Sequence, residues 1–257
     1  MHVGELHDGR FARIERILGR EKLARLMDAH VCVVGLGAVG SYATEALARA
    51  GVGHLRIVDF DEVRLSNINR QLYATDSTVG QKKCQIARQR ILDINPRCEV
   101  EALELFVHDD TMGQVLDGKH DVVIDAIDSL TPKVIFLDAV QRRGIALISS
   151  MGAALRTDPT QVRIGPLQEV HTCPLAAKIR KALRKRGAGV EFTCVYSTEK
   201  IVQSGGEADD EPASASEQTL SRGRTRRALG SLPTLTGIFG LTAAHAAIEQ
   251  IIDGFKA

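Results

Sequence analysis

Between a strand-like apolar run at residues 31–34 and a helix-like run at 38–50, the chain places Gly35, Gly37 and Gly40 in the spacing G-x-G-x-x-G. A strand, a glycine turn and a helix in that order let backbone amides approach a phosphate, with the positive end of the helix near Ala38 facing it. A second strand-like run follows and ends at Asp59, about 20 residues beyond the glycines, where a carboxylate accepts hydrogen bonds from ribose hydroxyls. A nicotinamide-dependent dehydrogenase fits this much equally well. The next residues do not fit it: Asp59-Phe60-Asp61 runs into Ser66-Asn67-Ile68-Asn69-Arg70-Gln71, a dense set of amide, hydroxyl and guanidinium donors just past the strand's carboxyl end. Such donors suit a triphosphate better than a hydride carrier.

The same alternation continues. Strand-like runs recur at 100–105, 121–124 and 146–149, with helix-like runs at 80–94, 111–116 and 132–143, and Pro96 stops the helix that ends near Ile94. Apolar strands alternating with helices predict a doubly wound, mainly parallel, Rossmann-like α/β sheet covered on both faces. Before it, residues 10–28 carry a helical rhythm interrupted by Gly19. Beyond Gly152 the pattern changes to a strand-like run at 162–164, a basic helix at 174–186, a second strand-like run at 192–196 and a closing helix at 238–252. The composition of 203–223, rich in Gly, Ser, Ala and acids, predicts a segment that is mobile until it meets a ligand. The expected organisation is an N-terminal helical segment (1–30), an ATP-binding core (31–165) and a C-terminal extension (166–257) with a mobile loop at 203–226, all in one globular unit.

A chain of 257 residues, 44% hydrophobic and 25% charged, is ordinary for one soluble domain with a sizeable core. Residues 1–10 have no apolar core, so no secretory signal is expected and the cytoplasm is the default location. The longest uncharged apolar stretch, 235–248, falls short of the roughly 20 residues a bilayer requires and reads as a buried or dimer-facing helix. The five cysteines are scattered and form no C-x-x-C, which argues against a disulfide framework and against zinc. Cys32 reads as a core residue, whereas Cys173 and Cys194, in the less regular half, are candidates for a reactive thiol with a plain thiol as the alternative, and neither has the setting of a nucleophile. The net charge is only +1, yet Lys178, Arg180, Lys181, Arg184, Lys185 and Arg186 cluster, as do Arg222, Arg224, Arg226 and Arg227. Local basic density of this kind can hold a polyanion.

In a parallel sheet, ligands sit beyond the carboxyl ends of the strands, which brings the candidate residues to one edge. Asp59 would take the ribose, while Asn67, Arg70 and Lys83 would hold phosphate oxygens. Asp128 follows a strand in Asp125-Ala126-Ile127-Asp128-Ser129 and is placed to carry Mg²⁺ beside the phosphates, since magnesium needs only one or two carboxylates besides them. Each also has a purely structural reading. Asp59 would cap a loop, Lys83 would be a solvated helix residue, and Asp128 would N-cap the helix beginning near Pro132. Asn67, Asn69 and Arg70 have no evident folding purpose.

These motifs resemble a known family. Residues 35–40 (GLGAVG), 58–63 (VDFDEV), 66–71 (SNINRQ), 80–83, Asn95-Pro96 and 125–129 are similar to the adenylation domain shared by ubiquitin-activating enzymes and bacterial sulfur-carrier adenylyltransferases, the ThiF, MoeB and HesA superfamily. The resemblance implies a Rossmann-like adenylation fold that binds Mg-ATP through the glycine loop, Asp59, Asn67, Arg70, Lys83 and Asp128, with Asp61, Ser66, Asn69 and Ser129 beside them. It also implies that Arg13 reaches the triphosphate of a neighbouring subunit, hence a homodimer. The C-terminal half, through Asp158-Pro159-Thr160-Gln161, Pro174-Leu175-Ala176-Ala177-Lys178 and Cys194-Val195-Tyr196-Ser197-Thr198-Glu199, is similar to bacterial tRNA threonylcarbamoyladenosine dehydratases. Some of those carry a cysteine where this chain reads Arg227-Ala228-Leu229-Gly230.

The activity so implied is ATP-dependent cyclisation of N6-threonylcarbamoyladenosine beside the tRNA anticodon. It runs by adenylation of the threonyl carboxylate, with Arg13, Arg70, Lys83 and Asp128 as the catalytic set. ATP and Mg²⁺ would be bound, zinc and NAD would not. The partners would be the modified tRNA, held by Lys178, Lys181, Arg184, Lys185, Arg222 and Arg224, and a second copy of the chain, with proteins of a cysteine desulfurase sulfur relay as further candidates, but no DNA. The alternatives are adenylation of the C-terminal glycine of a ubiquitin-like sulfur-carrier protein, a nicotinamide-dependent dehydrogenase, and a non-catalytic nucleotide-binding scaffold.

Overall fold

The computed structural model describes residues 9–201 and 229–254. Arg222, Arg224, Arg226, Arg227 and the loop at 203–226 lie outside the described residues. The fold opens with helices α1 (Ala12–Leu18) and α2 (Arg20–Asp28), separated at Gly19, whose φ of +81° is left to glycine by sterics. Then come β1 (His30–Val34), α3 (Gly40–Ala50), β2 (His54–Val58), α4 (Lys83–Ile94), β3 (Glu99–Leu103), α5 (Met112–Val115), β4 (Val122–Asp125), α6 (Leu130–Arg142) and β5 (Ala146–Ser150). The chain continues through β6 (Val162–Pro166), α7 (Pro174–Lys185), β7 (Thr193–Ser197) and α8 (Pro233–Asp253).

The seven strands form one sheet in the order β3-β2-β1-β4-β5-β7-β6, with β6 antiparallel to β7 and the other pairs parallel. This is the doubly wound, mainly parallel sheet that the alternation predicts. Strand order reverses at β1, where the chain passes outward to β2 and β3 and later returns to β4 on the other side. The crevice at such a reversal is where this kind of sheet binds ligands. Both faces are covered. Leu47, Ile57, Ile124 and Phe239 belong to the apolar layer on one side, and Cys32, Val123, Phe136 and Leu183 to that on the other. The central strands β1, β4 and β5 are accordingly buried almost throughout, whereas β3 at the edge keeps an alternating, partly exposed pattern.

Helix α8 reaches further than its sequence signal, starting at Pro233 instead of residue 238. At 21 residues it is long and apolar enough to cross a membrane by length and composition. Its buried residues Leu235, Phe239, Ala243, Ala244 and Ala247 nevertheless pack into the fold, chiefly on α3 and the neighbouring strands β4 and β5. Close approach to α3 depends on Gly240, where an added Cβ would stand 2.3 Å from the Val39 carbonyl oxygen. The last helix thus braces the first turn of α3, directly behind the glycines.

Candidate active site

The site lies at the carboxyl edge of β1, β2 and β4. Gly35 has a φ of +91°, and a Cβ there would approach the Ala126 carbonyl oxygen to 2.8 Å; a Cβ on Gly40 would stand 1.7 Å from the Gly35 carbonyl oxygen. Two of the three glycines therefore let the turn fold against β4 and against itself. Gly37 differs, since the nearest atom to a Cβ there is Gln71 Nε2 at 3.8 Å, so its face of the turn is open to a ligand. Helix α3 starts at Gly40, two residues later than the pattern implies, which leaves Ala38 and Val39 in the turn itself.

Asp59 is buried and accepts both the Leu36 N–H (2.6 Å) and the Asp61 N–H (2.8 Å). Its loop-capping role is thus real: one carboxylate ties the glycine turn to the end of β2. Each oxygen keeps a further lone pair, so ribose recognition is compatible with that role. Burial pushes the Asp59 carboxyl above its ordinary value, against the opposing pull of Lys83. Lys83, the first residue of α4, is 5% exposed and bonds Asp61 Oδ2 at 3.0 Å. It is not a solvated helix residue. A buried ammonium at the head of a helix, beside the glycine turn's own strand pair, is a group suited to polyanionic ligands.

The donors after β2 form one ordered segment. Residues Leu65–Asn67 make a single 3₁₀ turn in which Asn67, buried, accepts the Arg64 N–H at 3.1 Å. Arg70 donates to the Ser66 carbonyl and to Asn69 Oδ1, both at 2.8 Å. Asn67, Asn69 and Arg70 thus have the folding purpose that the sequence alone did not show. The segment is fastened beside the glycines, because the Leu72 N–H donates to Ser41 Oγ at 3.2 Å and Gln71 adjoins Gly37.

Asp128 is exposed on the turn between β4 and α6. Helix α6 begins at Leu130 with Ser129 at the N-cap position, so Asp128 stands one residue outside that position. Beneath this turn lies a group that the sequence pattern did not bring forward. Asp125 and Lys133 form an ion pair at 2.6 Å with both side chains fully buried. A signal for Lys133 existed, since it shares a helical face with Phe136, Leu137 and Val140 and a lysine in that row must be buried.

Arg13 is exposed on α1 and the structure does not bring it to these residues. Phe11, two residues before it, contacts the place a Cβ would occupy at Gly51, at the far end of α3. The 11 residues of α3 separate that end from the glycine turn, roughly 16 Å at 1.5 Å per residue. All five cysteines are buried. Burial pushes the Cys194 thiol far above its ordinary value, the opposite of what a nucleophilic thiolate needs.

The basic helix α7 sorts its cations. Arg180 donates to the Leu167 and Val170 carbonyls at 2.9 and 2.6 Å, and Arg186 pairs with Asp138 at 2.9 Å. Lys178, Lys181, Arg184 and Lys185 are exposed, opposite the buried face of Ala176, Ile179 and Leu183.

Residues 10–256 match the ThiF family. The chain belongs to that family. Within it, the chain is 46% identical over 192 residues to the tRNA threonylcarbamoyladenosine dehydratase of Bacillus subtilis (strain 168), covering 75% of this chain and 76% of that one. It is 35% identical over 252 residues to the protein of the same name from Escherichia coli (strain K12), covering 95% and 93%. The crystal structure of E. coli tRNA N6-threonylcarbamoyladenosine dehydratase, TcdA, in complex with ATP superposes on this ThiF-family chain with a TM-score of 0.84 at 33% identity, over 98% of both chains.

Proposed function

We propose that this chain is an ATP-dependent dehydratase that cyclises N6-threonylcarbamoyladenosine in tRNA. The observation that carries the reading is the extent of the likeness to TcdA, which runs over 98% of both chains and so takes in α7, β6, β7 and α8 as well as the nucleotide core.

The threonyl carboxylate attacks the α-phosphorus of ATP, the bond to pyrophosphate breaks, and an acyl-adenylate forms. The substrate's own carbamoyl group then attacks the activated carbonyl and AMP leaves, so the nucleoside closes a ring and has lost one water. Because the second attack is intramolecular, proximity drives it and no enzyme nucleophile is required. That accords with five buried thiols. Backbone amides of the glycine turn, Lys83 and Arg70 hold the phosphates and stabilise the charge that develops as pyrophosphate leaves. Asp59 takes the ribose, with Asp61, Ser66, Asn67, Asn69 and Ser129 around it. One exposed carboxylate, Asp128, with the phosphates as its co-ligands is a donor set that fits Mg²⁺. When bound there, the ion neutralises phosphate charge as a Lewis acid.

Arg13, standing far from the glycine turn of its own subunit, is assigned to the triphosphate of a second copy in a homodimer. The exposed cations of α7 hold tRNA phosphates. A tRNA substrate and the use of ATP support a cytoplasmic location.

The test is mass spectrometry of nucleosides from tRNA carrying threonylcarbamoyladenosine after incubation with the protein and Mg-ATP. Loss of one water from that nucleoside, dependent on ATP, is the expected result. An unchanged nucleoside with folded, ATP-binding protein would turn the assignment to carrier-protein adenylation. Neutralising Lys181, Arg184 and Lys185 together should weaken tRNA binding about tenfold or more at low salt and reduce the slope of log K against log[salt] by about 2. An unchanged slope would move the RNA site elsewhere.

A further inference from the structure

The buried Asp125–Lys133 pair spends its hydrogen bonds on one residue. Asp125 Oδ1 accepts the Ile127 N–H at 3.0 Å, and Lys133 Nζ donates to the Ile127 carbonyl at 2.9 Å while pairing with Asp125 Oδ2 at 2.6 Å. Ser149 Oγ, from β5, donates to the same Oδ2 at 2.6 Å and fixes the carboxylate's rotation. The Ile127 carbonyl belongs to the peptide plane that leads into Asp128. On the other side of this turn the Ala126 carbonyl lies against Gly35, with 2.8 Å to a Cβ placed there. The turn is therefore gripped between the glycine loop and the ion pair. Two fully buried charges are a poor route to stability, since a well-packed apolar pair does as well or better. Geometric control of the turn is what the pair supplies.

We propose that Lys133, acting with Asp125 and Ser149, is a positioning residue that sets the Asp128 carboxylate for the divalent cation beside the ATP phosphates. This rests on the reading of Asp128 as the cation's protein ligand. Groups that orient a metal ligand typically change metal affinity by about 10–100-fold when removed.

The test uses the full-length protein with ATP and Mn²⁺ as a paramagnetic probe, reading metal affinity by electron paramagnetic resonance. Lys133→Met alone would strand a buried carboxylate, so Asp125→Asn is combined with it. The amide oxygen introduced at position 125 still accepts the Ile127 N–H, while the amide nitrogen at the Oδ2 position donates to Ser149 Oγ where the carboxylate accepted from it, so that what is lost, with the ion pair, is the hold on the Ile127 carbonyl. The double variant should melt cooperatively and bind ATP in EDTA as the wild type does, while Mn²⁺ affinity of the ATP complex falls about tenfold. Ser149→Ala, a milder change, should lower it about two- to threefold in the same direction, and it decides the matter if the double variant does not fold. Unchanged Mn²⁺ affinity in a folded variant overturns the proposal. Asp128→Ala, measured in parallel, separates the two levels: if it loses Mn²⁺ and the pair variants do not, only the positioning role falls, and if it too is unchanged the cation assignment falls with it.

Discussion

Asp128→Ala should reduce ATP-dependent pyrophosphate release with modified tRNA by about 10²–10³-fold, the loss typical when a preorganised stabiliser of transition-state charge is removed. The protein should stay folded, its thermal transition moving by no more than an exposed residue contributes, about 0.5 kcal/mol. The side chain is exposed, Ser129 and not Asp128 occupies the N-cap position of α6, and the turn is held from below by Asp125 and Lys133. Structure and chemistry are therefore separable at this residue. ATP affinity without divalent cations should change little, because Lys83, Arg70 and the turn amides remain. Wild-type turnover in the folded variant would remove Asp128 from the magnesium site.

The second large effect is expected at Gly40, with Gly37 as its counterpart. A methyl group on Gly40 would overlap the Gly35 carbonyl oxygen, 1.7 Å away, and both atoms belong to the backbone of the turn. No rotamer change relieves that. Gly40→Ala must open the turn, at a cost of about 1–3 kcal/mol or more, and should weaken ATP binding about a hundredfold, the equivalent of ~2.7 kcal/mol. On Gly37 the same methyl meets nothing nearer than 3.8 Å. Gly37→Ala should keep the wild-type melting temperature while losing ATP affinity, because the added carbon fills space on the ligand side. Calorimetric titration of ATP alongside thermal melts separates the two, and a Gly40→Ala protein that binds ATP normally would show that the turn is not the phosphate site.

Much of this was legible from the residue pattern, for stated reasons. Strands buried on both faces leave apolar runs, and each run in the first 150 residues reappears as a strand of the sheet, with ends moved by one or two residues in either direction, since pairing and not hydrophobicity sets where a strand stops. The antiparallel turn of β6 was not legible, because strand direction follows from chain path and not from composition. At the site, the glycine spacing and the acid after β2 pointed to nucleotide chemistry by position alone. What the pattern concealed was the sharing of roles. Asp59 ties the glycine turn to the end of β2 whatever it does for a ligand, and Asn67 and Arg70 order their own 3₁₀ segment. Residue identity does not show how many partners a carboxylate or an amide has. Lys133 was readable from helical spacing, but a lysine among hydrophobic residues draws attention only when its row on the helix is followed through. Equally, six cations within nine residues look alike in sequence, and only packing distinguishes Arg180, half-buried on the Leu167 and Val170 carbonyls, from the exposed others, of which Arg186 pairs with Asp138.

The seat of α8 against Val39 has a consequence for synthesis. The glycine turn leaves the ribosome early, with β1 and α3, whereas the helix whose Gly240 lies on the Val39 carbonyl is made long afterwards. Until that helix docks, the first turn of α3 lacks its support at Val39, Tyr42 and Ala43, and the apolar faces that α8 covers on α3, β4 and β5 stand open to water. A nascent chain of this kind should acquire nucleotide affinity late and all at once, so that ATP reports completion of the fold and does not template its beginning.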